Sequence, residues 1–190
     1  MILLNPGPVT MTARVRAALA GEDVCHREPE FKSLVGRVRE KITAVYGAHE
    51  PAAGRYVPVL IGGSGTAAVE TMLSLVPGAS SGSGKSLVVA NGVYGERMAA
   101  MLRAQGKRHD VVSAPWTSGM DLAAAEKAIQ GGGFGHVLAV HHETTTGRLN
   151  DLASLGAICK RTGVPLLVDA VSSFAGEEIR FEDWNIEALA

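Results

Sequence analysis

Apolar and polar positions change period repeatedly along this chain of 190 residues, and the changes divide it into elements. Thr12 to Leu19, and then Phe31, Leu34, Val35, Val38, Ile42 and Val45, recur at helical spacing, which predicts two helices, the second amphipathic. The polar segment Asp23 to Glu30 separates them. Tyr56 to Ile61 reads as a strand, Thr66 to Val76 as a helix stopped by Pro77-Gly78, and Ser80 to Lys85 as an exposed Gly/Ser turn. The apolar run Leu87 to Ala90 predicts a buried strand. A helix from about Gly95 to Gln105, a short strand near Val111-Val112 and a helix from Asp121 to about Gln130 follow. Gly131-Gly132-Gly133 leads into a strand from Val137 to His141. Asp151 then caps a helix with Leu152, Leu155 and Ile158 on one face, and the last strand runs from Leu166 to Asp169.

Strand and helix alternate, and the strands are continuously apolar rather than alternating. Both features predict an α/β fold, a mostly parallel sheet with helices on both faces. No internal repeat divides the chain. Residues 1–22 read as an N-terminal arm and 23–190 as one large domain, incomplete at the C-terminus because Ile179 to Ala190 carries no stop signal.

Composition narrows the function classes. With 46% hydrophobic residues the chain can bury a sizeable core. Eighteen Lys and Arg stand against nineteen Asp and Glu, with no long basic run, which argues against a nucleic-acid partner. Cys25 and Cys159 lie far apart without ligand spacing, so neither a disulfide scaffold nor a zinc site is expected, and a reducing cytoplasm fits. Met1 to Pro8 lacks the basic start of a signal peptide, and no apolar run approaches the roughly 18 residues of a membrane span. A soluble cytoplasmic protein is expected.

Candidate chemistry gathers at strand ends, the edge of an α/β sheet where ligands bind. Gly62-Gly63-Ser64-Gly65-Thr66 joins a strand to a helix, and its amides and hydroxyls suit either a phosphate or an ordinary N-cap. Ala79 to Ser86 fits a loose Walker A pattern but opens a strand instead of a helix, which argues against nucleotide binding. Tyr94 follows another strand and either stacks on a planar ligand or packs beneath its loop. His141-His142-Glu143-Thr144-Thr145-Thr146-Gly147 offers a polar ligand-facing loop. Neighbouring strand residues point oppositely, so its two imidazoles are poorly placed to share a metal. Asp169 closes a buried strand as a cap or as a cofactor's partner, and His26-Arg27-Glu28 is a charged cluster that faces a substrate, a partner chain or solvent.

A phosphate cradle, an aromatic, a run of hydroxyls and a carboxylate on one edge suit a planar, phosphorylated, protonatable heterocycle such as pyridoxal phosphate. Asn5-Pro6-Gly7-Pro8, Gly63 to Glu70, Asn91 to Arg97, His142 to Gly147 and Val168 to Phe174 occur in that order, and with them the chain resembles the class V aminotransferases of the type I pyridoxal-phosphate fold. The Glu143 to Gly147 and Asp169 to Phe174 runs look most like the branch acting on 2-aminoethylphosphonate and pyruvate, whereas His26 to Phe31 looks more like the alanine–glyoxylate branch.

The resemblance implies that Ser64, Gly65 and Thr66 bind the cofactor phosphate, that Tyr94 stacks on one ring face and that Val171 packs on the other. It places Thr144 near the phenolic oxygen or Asp169, and Asp169 on the ring nitrogen. Pro6, Gly7, His26 and Arg27 become substrate-facing candidates, with an amino donor and a 2-oxo acid as substrates in a homodimer. It implies no metal. The family's Schiff-base lysine is expected shortly after Ala190, and Lys32, Lys41, Lys85, Lys107, Lys127 and Lys160 match no such position. Residues 1–190 alone are therefore expected to be inactive, and a non-catalytic module stays open beside the transaminase.

Overall fold

A computed structural model describes residues 2–3, 5, 7–46, 55–78 and 84–190. They fall into two compact units, Met1–Leu60 and Ile61–Ala190. The first contains α1 (Ala13–Ala18) and α2 (Pro29–Ala44). Thr12 caps α1 by accepting the Val15 N–H at 3.3 Å, and Pro29 starts α2, where its missing N–H costs nothing. Neither helix has a buried residue, and Leu34, Val38 and Val45 of the predicted apolar stripe are exposed.

The second unit runs α3 (Gly65–Leu73), β1 (Lys85–Ala90), α4 (Val93–Ala104), β2 (His109–Ser113), α5 (Leu122–Gln130), β3 (Phe134–Val140), β4 (His142–Glu143), β5 (Arg148–Leu149), α6 (Leu152–Thr162), β6 (Leu166–Asp169) and β7 (Ile186–Leu189). Five strands form one sheet in the order β2-β1-β3-β6-β7, every ladder parallel. β4 and β5 make a small antiparallel ribbon. Val88, Ala90, Leu138, Val140 and Leu167 pack with Val69, Met72 and Leu73 of α3 and Met98, Ala99 and Leu102 of α4. The side chains between them, Leu87, Val89, Val137, Ala139, Leu166 and Val168, turn to the opposite face by the two-residue period, where α5 packs on β1 and on α6.

From β1 the chain steps one way to β2, then returns past β1 to β3 and continues to β6 and β7. This reversal opens a crevice at the carboxyl ends of β1 and β3, the position where open α/β sheets take ligands.

Two expectations are corrected. Among the described residues Tyr56 to Ile61 forms no strand; Pro58 offers no amide, and Val57, Val59, Leu60 and Ile61 are exposed. Ile186–Leu189 is a strand that sequence patterning did not mark, recruited by the edge of β6. The Walker-like loop lies largely outside the described residues.

Candidate active site

The crevice is built from the start of α3 and from the segments that follow β1, β3 and β6. Ser64 caps α3, its hydroxyl accepting the Ala67 N–H at 3.3 Å, so the N-cap reading holds, while the exposed Ser64 and Thr66 hydroxyls stand beside the first amides of the helix. Gly65 touches Val171: a Cβ on Gly65 would come within 2.5 Å of Val171 Cγ1. The α3 start thus sits against the loop after β6. On β6, Asp169 shares a face with Leu167, which packs toward α3 and α4.

Asp169 is 7% exposed, and its Oδ1 accepts the Val171 N–H at 3.1 Å. Burial pushes its carboxyl above the ordinary range; the Val171 amide opposes this, Glu143 adds to it and Arg97 counteracts it. Among the described residues no cation is hydrogen-bonded to this carboxylate. A protonated heterocycle nitrogen would supply that partner, so the donor set suits pyridoxal phosphate. The free amides and hydroxyls at the start of α3 suit a phosphate, the buried carboxylate suits a protonated ring nitrogen, and Tyr94 at the start of α4 is half-buried.

Tyr94 is the second residue of α4, whose N-cap, Gly92, has no side chain to cap with. Its N–H instead donates to Glu143 Oε2 at 3.1 Å. The Arg97 guanidinium lies 4.9 Å from the Tyr94 ring centroid and 3.5 Å from Thr66 Oγ1, tying α4 to the start of α3. Thr144, half-buried in the β4–β5 turn, stays out of these hydrogen bonds, whereas Thr145 Oγ1 donates to Glu143 Oε1 at 2.7 Å. Beneath the crevice Asn91 and Asn150 exchange side-chain hydrogen bonds at 2.7 and 3.1 Å, locking the ends of β1 and β5.

The two histidines diverge. His141 Nδ1 shares a hydrogen bond with Ser173 Oγ and His142 Nδ1 one with Ser172 Oγ, both at 3.0 Å. Burial pushes the His141 imidazole down, Glu177 partly restores it, and His142 lowers it further.

The structure thus brings Ser64, Gly65, Thr66, Tyr94, Asp169 and Val171 to one edge, with Thr144 in the adjoining turn. Gly7, His26 and Arg27 belong to the other unit, where all three are exposed, the last two in the turn before α2. Pro6 lies outside the described residues. Sequence reasoning assigned no role to Glu143 or Arg97. Arg97 was findable from its three-residue spacing after Tyr94 on a helix, and Glu143 from being an acid at the end of a buried strand.

A family model for class-V aminotransferases matches residues 13–190. The chain belongs to the class-V aminotransferase family. This class-V chain is 37% identical over 190 residues to the 2-aminoethylphosphonate–pyruvate transaminase of Aeromonas hydrophila, covering 99% of itself and 49% of that protein. It is 36% identical over 189 residues to a bifunctional phosphonoacetaldehyde hydrolase/aminoethylphosphonate transaminase of Clostridioides difficile, covering 99% of itself and 29% of the relative. The chain therefore spans half or less of the length of these relatives. Among solved structures, an alanine–glyoxylate aminotransferase from Nostoc sp. superposes with a TM-score of 0.84 at 27% identity, over 98% of this chain and 48% of that one. The pyridoxamine–pyruvate aminotransferase of Mesorhizobium loti, at 23% identity and TM-score 0.86, shares the fold over 100% of this chain and 47% of its own.

Proposed function

We propose that the protein carrying this chain is a pyridoxal-phosphate transaminase that moves the amino group of 2-aminoethylphosphonate to pyruvate, giving phosphonoacetaldehyde and alanine. The observation that carries this reading is the 35–37% identity, along nearly the whole chain, to transaminases named for that donor and acceptor. The bound cofactor supplies an electron sink for the substrate carbon that loses a proton. The chain's own residues hold it. Ser64, Gly65, Thr66 and the α3 amides would bind its phosphate, Tyr94 would stack on one ring face and Val171 pack on the other, Thr144 would hydrogen-bond near the phenolic oxygen or Asp169, and Asp169 would accept the ring N–H.

Gly7, His26 and Arg27, together with Pro6, are the proposed substrate-facing residues. Leu34 and Val38 on α2 and Val45 at its C-cap, with Ile2, Val15 and Leu19 before it, leave apolar side chains exposed in the Met1–Leu60 unit, which supports a homodimer. Among the described residues no helix is long and apolar enough to cross a membrane, and we place the enzyme in the cytoplasm.

A glyoxylate-linked transaminase using alanine or serine is the second reading, favoured by the Nostoc structure. A donor panel on the complete enzyme separates the two. Turnover of 2-aminoethylphosphonate with pyruvate exceeds that of alanine or serine with glyoxylate on the first reading, and the reverse order removes it. No turnover with any pair supports a non-catalytic module.

A further inference from the structure

Two carboxylates are buried in the described part of Ile61–Ala190, and the cofactor reading uses only Asp169. The other, Glu143, is 0% exposed. A buried charge is costly unless hydrogen bonds replace its water, so its partners reveal what it is for. Oε2 accepts the N–H of Tyr94, 49 residues away in sequence and across the crevice between β1 and β3. Oε1 accepts the Thr145 hydroxyl, and the main-chain carbonyl of Glu143 takes the Thr146 N–H at 3.2 Å and the Thr146 hydroxyl at 3.3 Å. One residue thus anchors the start of α4, which carries Tyr94, and the turn that carries Thr144.

The complement is Gly92. Most helices cap themselves with a Ser, Thr, Asp or Asn side chain, and α4 starts with a residue that has none. A Cβ on Gly92 would overlap Glu143 Cγ, Cδ and Oε2, so the side chain absent from the cap leaves the space in which the distant carboxylate lies. The acceptor and the negative charge wanted at a helix N-terminus come instead from the strand across the crevice.

We propose that Glu143 is a positioning residue for the cofactor site, its carboxylate acting as a cap in trans that fixes Tyr94 and the Thr144 turn relative to one another. The proposal rests on the pyridoxal-phosphate reading. The hydrogen bonds of Glu143 go to Tyr94, Thr145 and Thr146 and not to Asp169; it acts through the residues it holds, and its charge also bears on Asp169 through space.

The test compares full-length wild type with Glu143→Gln, Glu143→Leu and Gly92→Ala, reading the pyridoxal-phosphate dissociation constant by fluorescence quenching, the visible circular dichroism of the bound cofactor, and the melting temperature. Gln keeps an oxygen for Tyr94 and an amide that the Thr145 hydroxyl can turn to accept, so its dissociation constant stays within about threefold of wild type. Leu leaves the buried Tyr94 N–H unpaired, and Gly92→Ala displaces the carboxylate while retaining it. Each is expected to weaken binding about tenfold or more and to reduce the cofactor's dichroism. Gly92→Ala carries the test should Glu143→Leu fail to fold. A lowered melting temperature with unchanged dissociation constant and dichroism reduces Glu143 to a structural role and overturns the proposal. A Gln variant as defective as Leu overturns the hydrogen-bond account. A wild-type protein that takes up no pyridoxal phosphate overturns the cofactor reading, and the proposal with it.

Discussion

At the scale of the residue, Asp169 sets function against stability. Its folded-state pKa is raised, first by burial, so the folded chain holds that proton more tightly than the unfolded chain. Its favourable contribution is present below the unfolded carboxylate value and is lost as pH rises through the folded one. At neutral pH the ionised carboxylate therefore works against folding. Asp169→Asn, whose amide oxygen still accepts the Val171 N–H, is expected to raise the melting temperature of the cofactor-free protein at pH 7, with the gain fading toward pH 4. The same change weakens pyridoxal-phosphate binding by about tenfold or more through the lost ion pair. Calorimetry across pH, paired with cofactor titration, checks both; a variant less stable than wild type at pH 7 contradicts the burial argument.

Asp151 has the opposite sign. Its carboxylate accepts the Ser154 hydroxyl at 2.6 Å and the Ser154 N–H at 2.9 Å, which hold its pKa below the usual value. That stabilisation is present above the unfolded value and is lost as pH falls through the folded one. Asp151→Ala is expected to cost about 1 kcal/mol at pH 7, as N-cap removals do, and much less below pH 3. Urea unfolding at the two pH values measures the difference.

Among elements, β1, β3 and β6 were legible because a strand buried on both faces must be apolar at every position, and Leu87 to Ala90, Val137 to Val140 and Leu166 to Val168 are. α5 and α6 were legible from their Asp caps and helical spacing. Tyr56 to Ile61 misled because β-prone residues make a strand only when a neighbour takes their amides. Ile186 to Leu189 was missed for the converse reason: Glu187 and Ala188 have no strand preference of their own, and the open side of β6 imposes one. In the candidate site, the places of Asp169 and Tyr94 just at or after strand ends and of Ser64 as the cap of α3 were legible from local pattern. The link from Glu143 to Tyr94 depends on strand order, which no local pattern encodes.

Helix α6 also shows how close two elements approach. A Cβ on Gly156 would lie 2.5 Å from Trp184 Cα and 2.6 Å from its carbonyl oxygen, main-chain atoms with little room to yield. Trp184 in turn meets the His141 ring edge-on at 5.9 Å. Gly156→Ala is expected to cost about 1–3 kcal/mol, despite the higher helix propensity of alanine. A denaturation midpoint at or above wild type would show that the Trp184 segment moves away freely.

For the whole molecule, the chain holds the crevice, the buried Asp169 carboxylate and the Ser64 to Thr66 turn, while its curated relatives extend to about twice its length or more. Residues 1–190 expressed alone are expected to give no measurable transfer from 2-aminoethylphosphonate to pyruvate. Alanine formation above the cofactor-only blank would assign the proton-transfer group to a lysine within residues 1–190 and overturn this expectation.

The order β2-β1-β3-β6-β7 also bears on how the site comes into being. Since no ladder of the main sheet is antiparallel, none closes through a tight hairpin, and each pairing waits for a crossover to be completed. Such topologies fold slowly, because distant stretches of chain must meet before any contact rewards them. On a ribosome, β1 and β2 emerge together and pair early. β3 then has to add to the far side of β1, and β6 to the far side of β3, before Asp169 lies beside Val140. The crevice is thus complete only after β6 has joined the sheet, and cofactor uptake during synthesis would serve as a clock for that step.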